Sequence, residues 1–348
     1  MYIRSAAAIS AQDTFGNVTF SIVPISYQGN VLKTKEPDYK NYIDPKLARR
    51  MSRIIRMGVA AALQCLRDAH AENVDAIVTG TAYGCLEDTG VFLSRLIEQQ
   101  EEMLSPTAFI QSTHNTVGAQ IALTLQCTNY NNTFVHKAFS FESALLDSIL
   151  LLKENEAKTV LVGGTDEITK YSFDILRRFN LYKQESADSL QLMQSATVGT
   201  IAGEGSNFFL LSSEPSATDY AVLDGVATLY KPEDVNAIEK GIQQFLASHS
   251  VSIDDISCVV SGNDGDSRNA NVRHSLDSGV FAGKRIVHYK QLTGEYPTSS
   301  SFALWLAANM IYRSQPVFEG LLYAKPKKIL VYNNYQNTHH SFMLLSAI

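Results

Sequence analysis

The chain is poor in several things at once. Four cysteines, Cys65, Cys85, Cys127 and Cys258, are scattered over 348 residues, and no two form a C-x-x-C pair. That spacing argues against a disulfide framework and against a zinc site. No apolar run approaches the ~18 residues of a membrane span, so membrane insertion is not expected. Residues 1–20 lack the basic start and apolar stretch of a signal peptide, and a cytoplasmic location is expected. Lysine and arginine form no long run; "KPKK" at 325–328 is a short loop before a strand. With a net charge of −6, nucleic acid is not an expected partner. Charged residues make up only 18% and hydrophobic residues 45%, the balance of a folded globular chain.

What is present is an alternation. Short apolar runs are separated by helical patterns, which argues α/β with a largely buried sheet. In the first part the strands are expected at "NVTFSIVPI", "DAIVTGTA", "TFVHKA", "TVLVGG" and "SNFFLLSS", with helices over 46–70, 86–102, 115–126 and 140–155. "SSEPSAT", 212–218, is small, polar and broken by a proline, as a connection should be. After it the pattern restarts with "AVLDGVATLY", a helix over 232–248, "CVVSGN", "RIVHYK", a helix over about 299–313, "KILVYNN" and "SFMLLSA". Two halves of similar element order, 1–213 and 219–348, are therefore expected.

The stretch "FVHKAFSFESALLDSILLLKENEAKTVLVGGTDEIT", 134–169, runs from a strand through a sharp turn into a buried helix and on to another strand. The N-terminus of such a helix favours negative charge and is a natural seat for a reactive group. Yet the turn holds Ala138, Phe139, Ser140 and Phe141. Ser140 with His136 is a possible pair, but the glycine-flanked elbow that exposes a nucleophilic serine is absent. Cys85 has no histidine near it in sequence and reads as a small buried hydrophobe. Asp264 and Asp266 in "SGNDGDSRN" faintly suggest a calcium loop without its bidentate glutamate, so no metal is expected.

Together these segments resemble the β-ketoacyl synthase family, which has the thiolase fold. "IRSAAAISAQDTFGN" is similar to its opening strand, and "DPKLARRMSRIIRMGVAAAL" to its first helix. "IVTGTAYGCLED" resembles the GTGxGG turn. "IQSTHNTVGAQIAL" puts Asn115 on the family's asparagine, and "VLVGGTDEIT" puts Asp166 on its acid. The resemblance implies two fused βαβαβ-type halves in a layered α-β-α-β-α arrangement. The family's nucleophile motif, A-C-x-x-G-x-x-A, aligns Ala138 with the cysteine. Its H-G-T-G-T falls on "GNDGD", so Gly262 replaces the first histidine. Its K-x-x-x-G-H falls on "KQLTGE", which keeps Lys290 and Gly294 and puts Glu295 on the second histidine; Lys290 and Glu295 are expected to pair. No member of the catalytic triad is intact. Phe139, Ser140, Phe141, Asn115 and Tyr335 are the residues expected at an acyl pocket.

The resemblance implies a catalytically silent, chain-length-factor-like subunit, similar to short members of aryl-polyene-type pathways. It implies an active ketosynthase subunit as partner, or a second copy of the chain, together with acyl carrier protein, and no cofactor. Residues 131–138 are expected as a strand near the molecule's pseudo-twofold centre that meets its counterpart in the second subunit. Two alternatives stay open. One is an acyltransferase or thioester hydrolase working through Lys290 with Glu295 or Ser140 with His136; the other is a homodimeric acyl-binding scaffold.

Overall fold

The computed structural model describes residues 1–16, 22–313, 316–319 and 325–348. Twelve strands lie among them: β1 (Tyr2–Ile9), β2 (Gln28–Gly29), β3 (Ala76–Gly80), β4 (Tyr130–Phe134), β5 (Thr159–Asp166), β6 (Ala187–Asp188), β7 (Gly205–Ser212), β8 (Ala221–Tyr230), β9 (Cys258–Ser261), β10 (Arg285–His288), β11 (Lys328–Tyr335) and β12 (His339–Ser346). Ten of them form one sheet in the order β10-β9-β11-β12-β8-β1-β7-β5-β3-β4.

That sheet is a repeat. β1 meets β8 through only two residue pairs, Tyr2 with Val222 and Ile3 with Ala221. Outward from this junction each side runs in the same order: first strand, last, fourth, second, third. The pairings repeat too. In each half the last strand is antiparallel to both its neighbours, and the remaining pairs are parallel.

Burial follows from composition. β3, β5 and β7 are apolar runs almost wholly buried, as strands covered on both faces must be. Helix Ser300–Tyr312 ("SSFALWLAANMIY") is mostly apolar and buried on every side from Ser300 to Ile311; it sits in the central layer, touching β1, β7, β11 and β12. Helix Ser140–Lys153 joins it there, against β3, β4, β5 and β8. Helix Arg53–Asp68 is amphipathic and covers the outer face of β1 and β7, while Val235–Ser248 covers β8 and β12 on the other side. The result is the expected α-β-α-β-α layering.

Several elements differ from expectation. The helix expected over 46–70 is two, Pro45–Ala48 and Arg53–Asp68, because Ser52 is extended (φ −68°, ψ 173°). Of the strand expected over 17–25, residues 17–21 lie outside the described residues, and Ile22 makes a single bridge to Phe318. The strand expected to reach residue 138 stops at Phe134, since the chain turns through a 3-10 segment at Lys137–Phe139. Nor does it lie near the pseudo-twofold centre, which is the junction of β8 and β1: β4 is at the outer end of the sheet, since β3 and β5 intervene between it and β7. Among the described residues no helix is long and apolar enough to cross a membrane.

Candidate functional site

The two central helices begin close to the ends of the sheet strands, and glycine allows it. A Cβ on Gly80, at the end of β3, would lie 2.5 Å from the Ser140 carbonyl oxygen and 2.7 Å from Phe141 N. A Cβ on Gly164 in β5 would meet the Ser301 side chain at 3.0 Å. Asp166 ties these parts together. One of its carboxylate oxygens accepts from Thr81 Oγ1 (3.0 Å) and Ala82 N (2.9 Å), the other from Thr298 Oγ1 (2.8 Å). Burial raises its pKa against the effect of these bonds.

Where the resemblance expects the nucleophile, the chain enters the helix through strain: Lys137 is left-handed at φ 47°. Ala138 follows and is fully buried. The Ser140 hydroxyl is occupied by the turn itself. It donates to the Lys137 carbonyl (2.7 Å) and accepts from the backbone N–H of His136 (2.8 Å). The His136 imidazole instead meets Phe139 edge-on, with ring centroids 5.8 Å apart. Ser140 and His136 are therefore joined through the backbone, and no serine–imidazole pair forms. Cys85 is fully buried, and burial pushes its thiol pKa up, away from thiolate.

Gly262 and Glu295, which the resemblance aligns with the family's two histidines, are both closely packed. Gly262 follows β9, and a Cβ there would stand 2.8 Å from Asn333 Oδ1, 2.9 Å from Asn333 Cα and 3.0 Å from Asn334 N. Glu295 is pinned at its backbone: its N–H donates to Ile201 O (2.8 Å) and its carbonyl accepts from Gly203 N (2.9 Å). Lys290 is wholly buried and donates to Glu295 Oε2 at 2.6 Å and to the Asn334 carbonyl. Burial, opposed by Lys290 and reinforced by nearby Asp264, pushes the Glu295 carboxyl up to about 7. The Gly294 turn between them is left-handed (φ 73°), and a side chain there would run into Ala202 and Gly203.

Glu295 opens on a cavity of about 250 Å³, which also takes in Asp264, Asp266 and Tyr335. Its remaining walls come from residues with no motif to mark them, chiefly Tyr182, Thr200, Arg268 and Asn269. Arg268 pairs with Asp266 at 2.5 Å, and the buried Lys183 reaches the Gly265 carbonyl between the two aspartates at 3.3 Å. The cavity wall thus carries three carboxyls, Asp264, Asp266 and Glu295, and one guanidinium, Arg268, with the Lys183 ammonium behind it. The other pocket residues expected from sequence lie elsewhere. Phe141 packs in the core against Phe209 (5.7 Å), Phe139 packs on His339 (4.8 Å), and Asn115 is exposed at the start of helix Thr116–Leu125.

Comparison with known proteins bears on this arrangement. Residues 27–200, half of the chain, match the family model described as "Beta-ketoacyl synthase, N-terminal domain". The chain belongs to the β-ketoacyl synthase family. A 3-oxoacyl-[acyl-carrier-protein] synthase 2 from Synechocystis sp. is 26% identical over 201 residues, covering 53% of this chain and 47% of that protein. The match thus spans about half the length of this curated relative. Among solved structures, the ishigamide ketosynthase/chain length factor superposes with a TM-score of 0.79 at 17% identity, covering 100% of this chain and 98% of the other. A β-ketoacyl synthase from Burkholderia phymatum STM815 gives 0.79 at 11% identity, covering 100% and 99%. The ketosynthase ApeO in complex with its chain length factor ApeC, from Xenorhabdus doucetiae, gives 0.72 at 15%, covering 100% and 98%. At these identities the structures speak for the fold, and the synthase fold extends over the whole chain.

Proposed function

We propose that this synthase-family chain is a non-catalytic, chain-length-factor-like partner of an active β-ketoacyl synthase in fatty-acid-like or polyene assembly. The observation that carries this is the crowding at Gly262, where condensation chemistry in the family would need an imidazole. Backbone atoms of β11 lie 2.9 and 3.0 Å from where even a Cβ would go, closer than nearly all real Cβ contacts come. The second imidazole position carries Glu295, whose carboxyl in its ionised form opposes the enolate that decarboxylation generates. The thiol position carries the methyl of Ala138. Without a thiolate no acyl-enzyme forms. Three losses beside a retained Lys290, Gly294 and buried helix start favour a subunit that lends walls, not chemistry.

A surface for the second subunit is at hand. β4 is an open sheet edge, a liability unless it is covered. Tyr130 and Val135 at that edge and Leu146 and Leu150 on the adjoining helix are all exposed. We assign this edge to an active synthase subunit or a second copy of the chain, with acyl carrier protein delivering the growing chain. The two halves, 1–213 and 219–348, would act as one wall-forming unit.

Co-expression with a synthase that keeps Cys-His-His, followed by purification through a tag on one subunit, tests the assignment. Stoichiometric co-purification is expected. Incubation of the chain alone with acyl-CoA is expected to leave its intact mass unchanged; labelling mapped to Ser140 or Cys85 would overturn the non-catalytic reading. One observation favours a second reading, thioester hydrolysis: Glu295 lines a cavity with a pKa near neutrality, as a general base on water should have. Acyl-CoA hydrolysis lost in Glu295→Gln would promote it.

A further inference from the structure

A larger cavity lies apart from this site and shares none of its lining. It encloses about 330 Å³ between β1 and the C-terminal ends of helices Arg53–Asp68 and Ser300–Tyr312. Nothing in the ketosynthase reading uses it. Three features of its wall point to an occupant.

The first is Arg313. Its Nε donates to Asn309 Oδ1 at 3.1 Å, which fixes the guanidinium plane and leaves both terminal nitrogens without a partner among the described residues. No carboxylate lies within ion-pair distance of it among the described residues, and burial lowers its pKa. Asp68, in the same wall, acts on it only from beyond ion-pair distance; a half-buried guanidinium with no oxyanion in direct contact is under-compensated, and a planar oxyanion fits its fork. The second is Trp305. It is only 2% exposed and lines the cavity, and its indole N–H finds no hydrogen-bond partner among the described residues. Indole nitrogen is a donor only, so it too calls for an acceptor. The third is a flat apolar wall, Tyr220 stacked on Tyr312 with centroids 4.0 Å apart and planes within 5°.

Other groups modulate the charge. Arg67 adds a second cation, oriented by its bond to the Asn41 carbonyl (3.0 Å) and by the Tyr42 ring (4.5 Å). Asp68 adds an anion, held by Gln64 Nε2 at 2.6 Å. Two helix C-termini also face this way and disfavour negative charge. The first of them is closed by backbone donors, His70 N to Arg67 O and Ala71 N to Leu66 O, with His70 left-handed at φ 52°, so fewer bare carbonyls reach the cavity. Two full cations, Arg67 and Arg313, then stand against one carboxylate and the partial charge left at the helix ends, and the balance favours an anion.

We infer that this cavity binds a small organic carboxylate, its carboxylate on Arg313 and Trp305 and its flat apolar body against Tyr220 and Tyr312.

Trp305 is the sole tryptophan of the chain, so fluorescence excited selectively from tryptophan reads this cavity directly. The probe is benzoate, titrated into the full chain at constant ionic strength, with neutral benzamide and inorganic phosphate in parallel. A saturable change with benzoate is expected, with no response to benzamide and a weaker one to phosphate. In Arg313→Gln, loss of the charge-assisted pair should weaken benzoate by about tenfold or more. Arg313→Lys keeps the charge without the fork and should fall between the two; it serves if the glutamine variant does not fold. No saturable change with benzoate, an equal response to benzamide, or an affinity indifferent to Arg313 would overturn the assignment. Phosphate binding tighter than benzoate would overturn the carboxylate in favour of a phosphate site.

Discussion

Gly262→Ala adds one methyl group after β9. On the present backbone that methyl lies 2.8 Å from Asn333 Oδ1, 2.9 Å from Asn333 Cα and 3.0 Å from Asn334 N. Two of the three are backbone atoms of β11, so no single rotamer change relieves the contact. Asn333 Oδ1 also accepts the buried Tyr289 hydroxyl at 2.7 Å, and pushing the amide aside endangers that bond. Overpacking of this kind costs about 1–3 kcal/mol, and an orphaned buried hydroxyl about 1–3 more. For a 348-residue chain, unfolding entropy makes each kcal/mol worth roughly 1.5 °C, so a fall in midpoint of about 3–9 °C is expected. Thermal unfolding followed by circular dichroism, with the urea midpoint beside it, measures the loss. An alanine variant as stable as the parent would mean that the strand end yields freely. There would then be room for a side chain, and the argument from crowding to lost chemistry would fail.

Further outcomes bear on the same site. The Glu295 carboxyl sits near 7 when folded, above its ordinary 4.5, so the folded chain binds the extra proton between those values. Its contribution is fully present below about pH 4.5 and is lost as pH rises to about 7; the advantage of the parent over Glu295→Gln, from paired melting curves, should shrink across that window and be flat above it. A constant difference would refute this. Lys290→Met leaves Glu295 buried without its cation and should cost about 3–5 kcal/mol in urea titrations above neutral pH, and less near pH 5, where the carboxyl is protonated. Loss independent of pH would place the effect in packing. The triple variant Ala138→Cys, Gly262→His, Glu295→His should release no labelled carbon dioxide from malonyl carrier protein above the parent background; measurable release would show a site that had lost only its side chains.

The fold was legible because its signals are local and repeated. "TVLVGG", "SNFFLLSS" and "AVLDGVATLY" are apolar runs bounded by breakers, and β5, β7 and β8 appear at or within a few residues of them. The motif order that resembles the synthases spans both halves, and the whole chain superposes on such structures. The misjudged boundaries are those where one side chain decides. Nothing in "DPKLARRMSRI" announces that Ser52 turns extended and splits the helix. The short helix Lys170–Arg178 went unseen because its stripe of Tyr171, Ile175 and Phe179 is exposed, where periodicity carries no burial signal to confirm it.

At the site, the resemblance sets an expectation of which groups are absent but not of what surrounds their positions. The pairing of Lys290 with Glu295 could be read across the Gly294 turn, since five residues and a left-handed glycine bring the two ends together. The crowding at Gly262 could not. It depends on β9 and β11 lying parallel with Val260 beside Val331 and Ser261 beside Tyr332, a register set some seventy residues away by the hydrophobic pairing of both strands. The next residue on β11, Asn333, then falls against Gly262 and carries Tyr289 with it. Tyr182 and Arg268 reach the cavity by the same kind of route, from a loop and a 3-10 turn with no pattern of their own. A glycine where the resemblance expects a histidine is therefore ambiguous in one dimension: the space beside it is either open or taken by a neighbour. Only the packing of the two strands distinguishes these states, and here it sets backbone atoms of Asn333 and Asn334 2.9 and 3.0 Å from where a Cβ on Gly262 would lie.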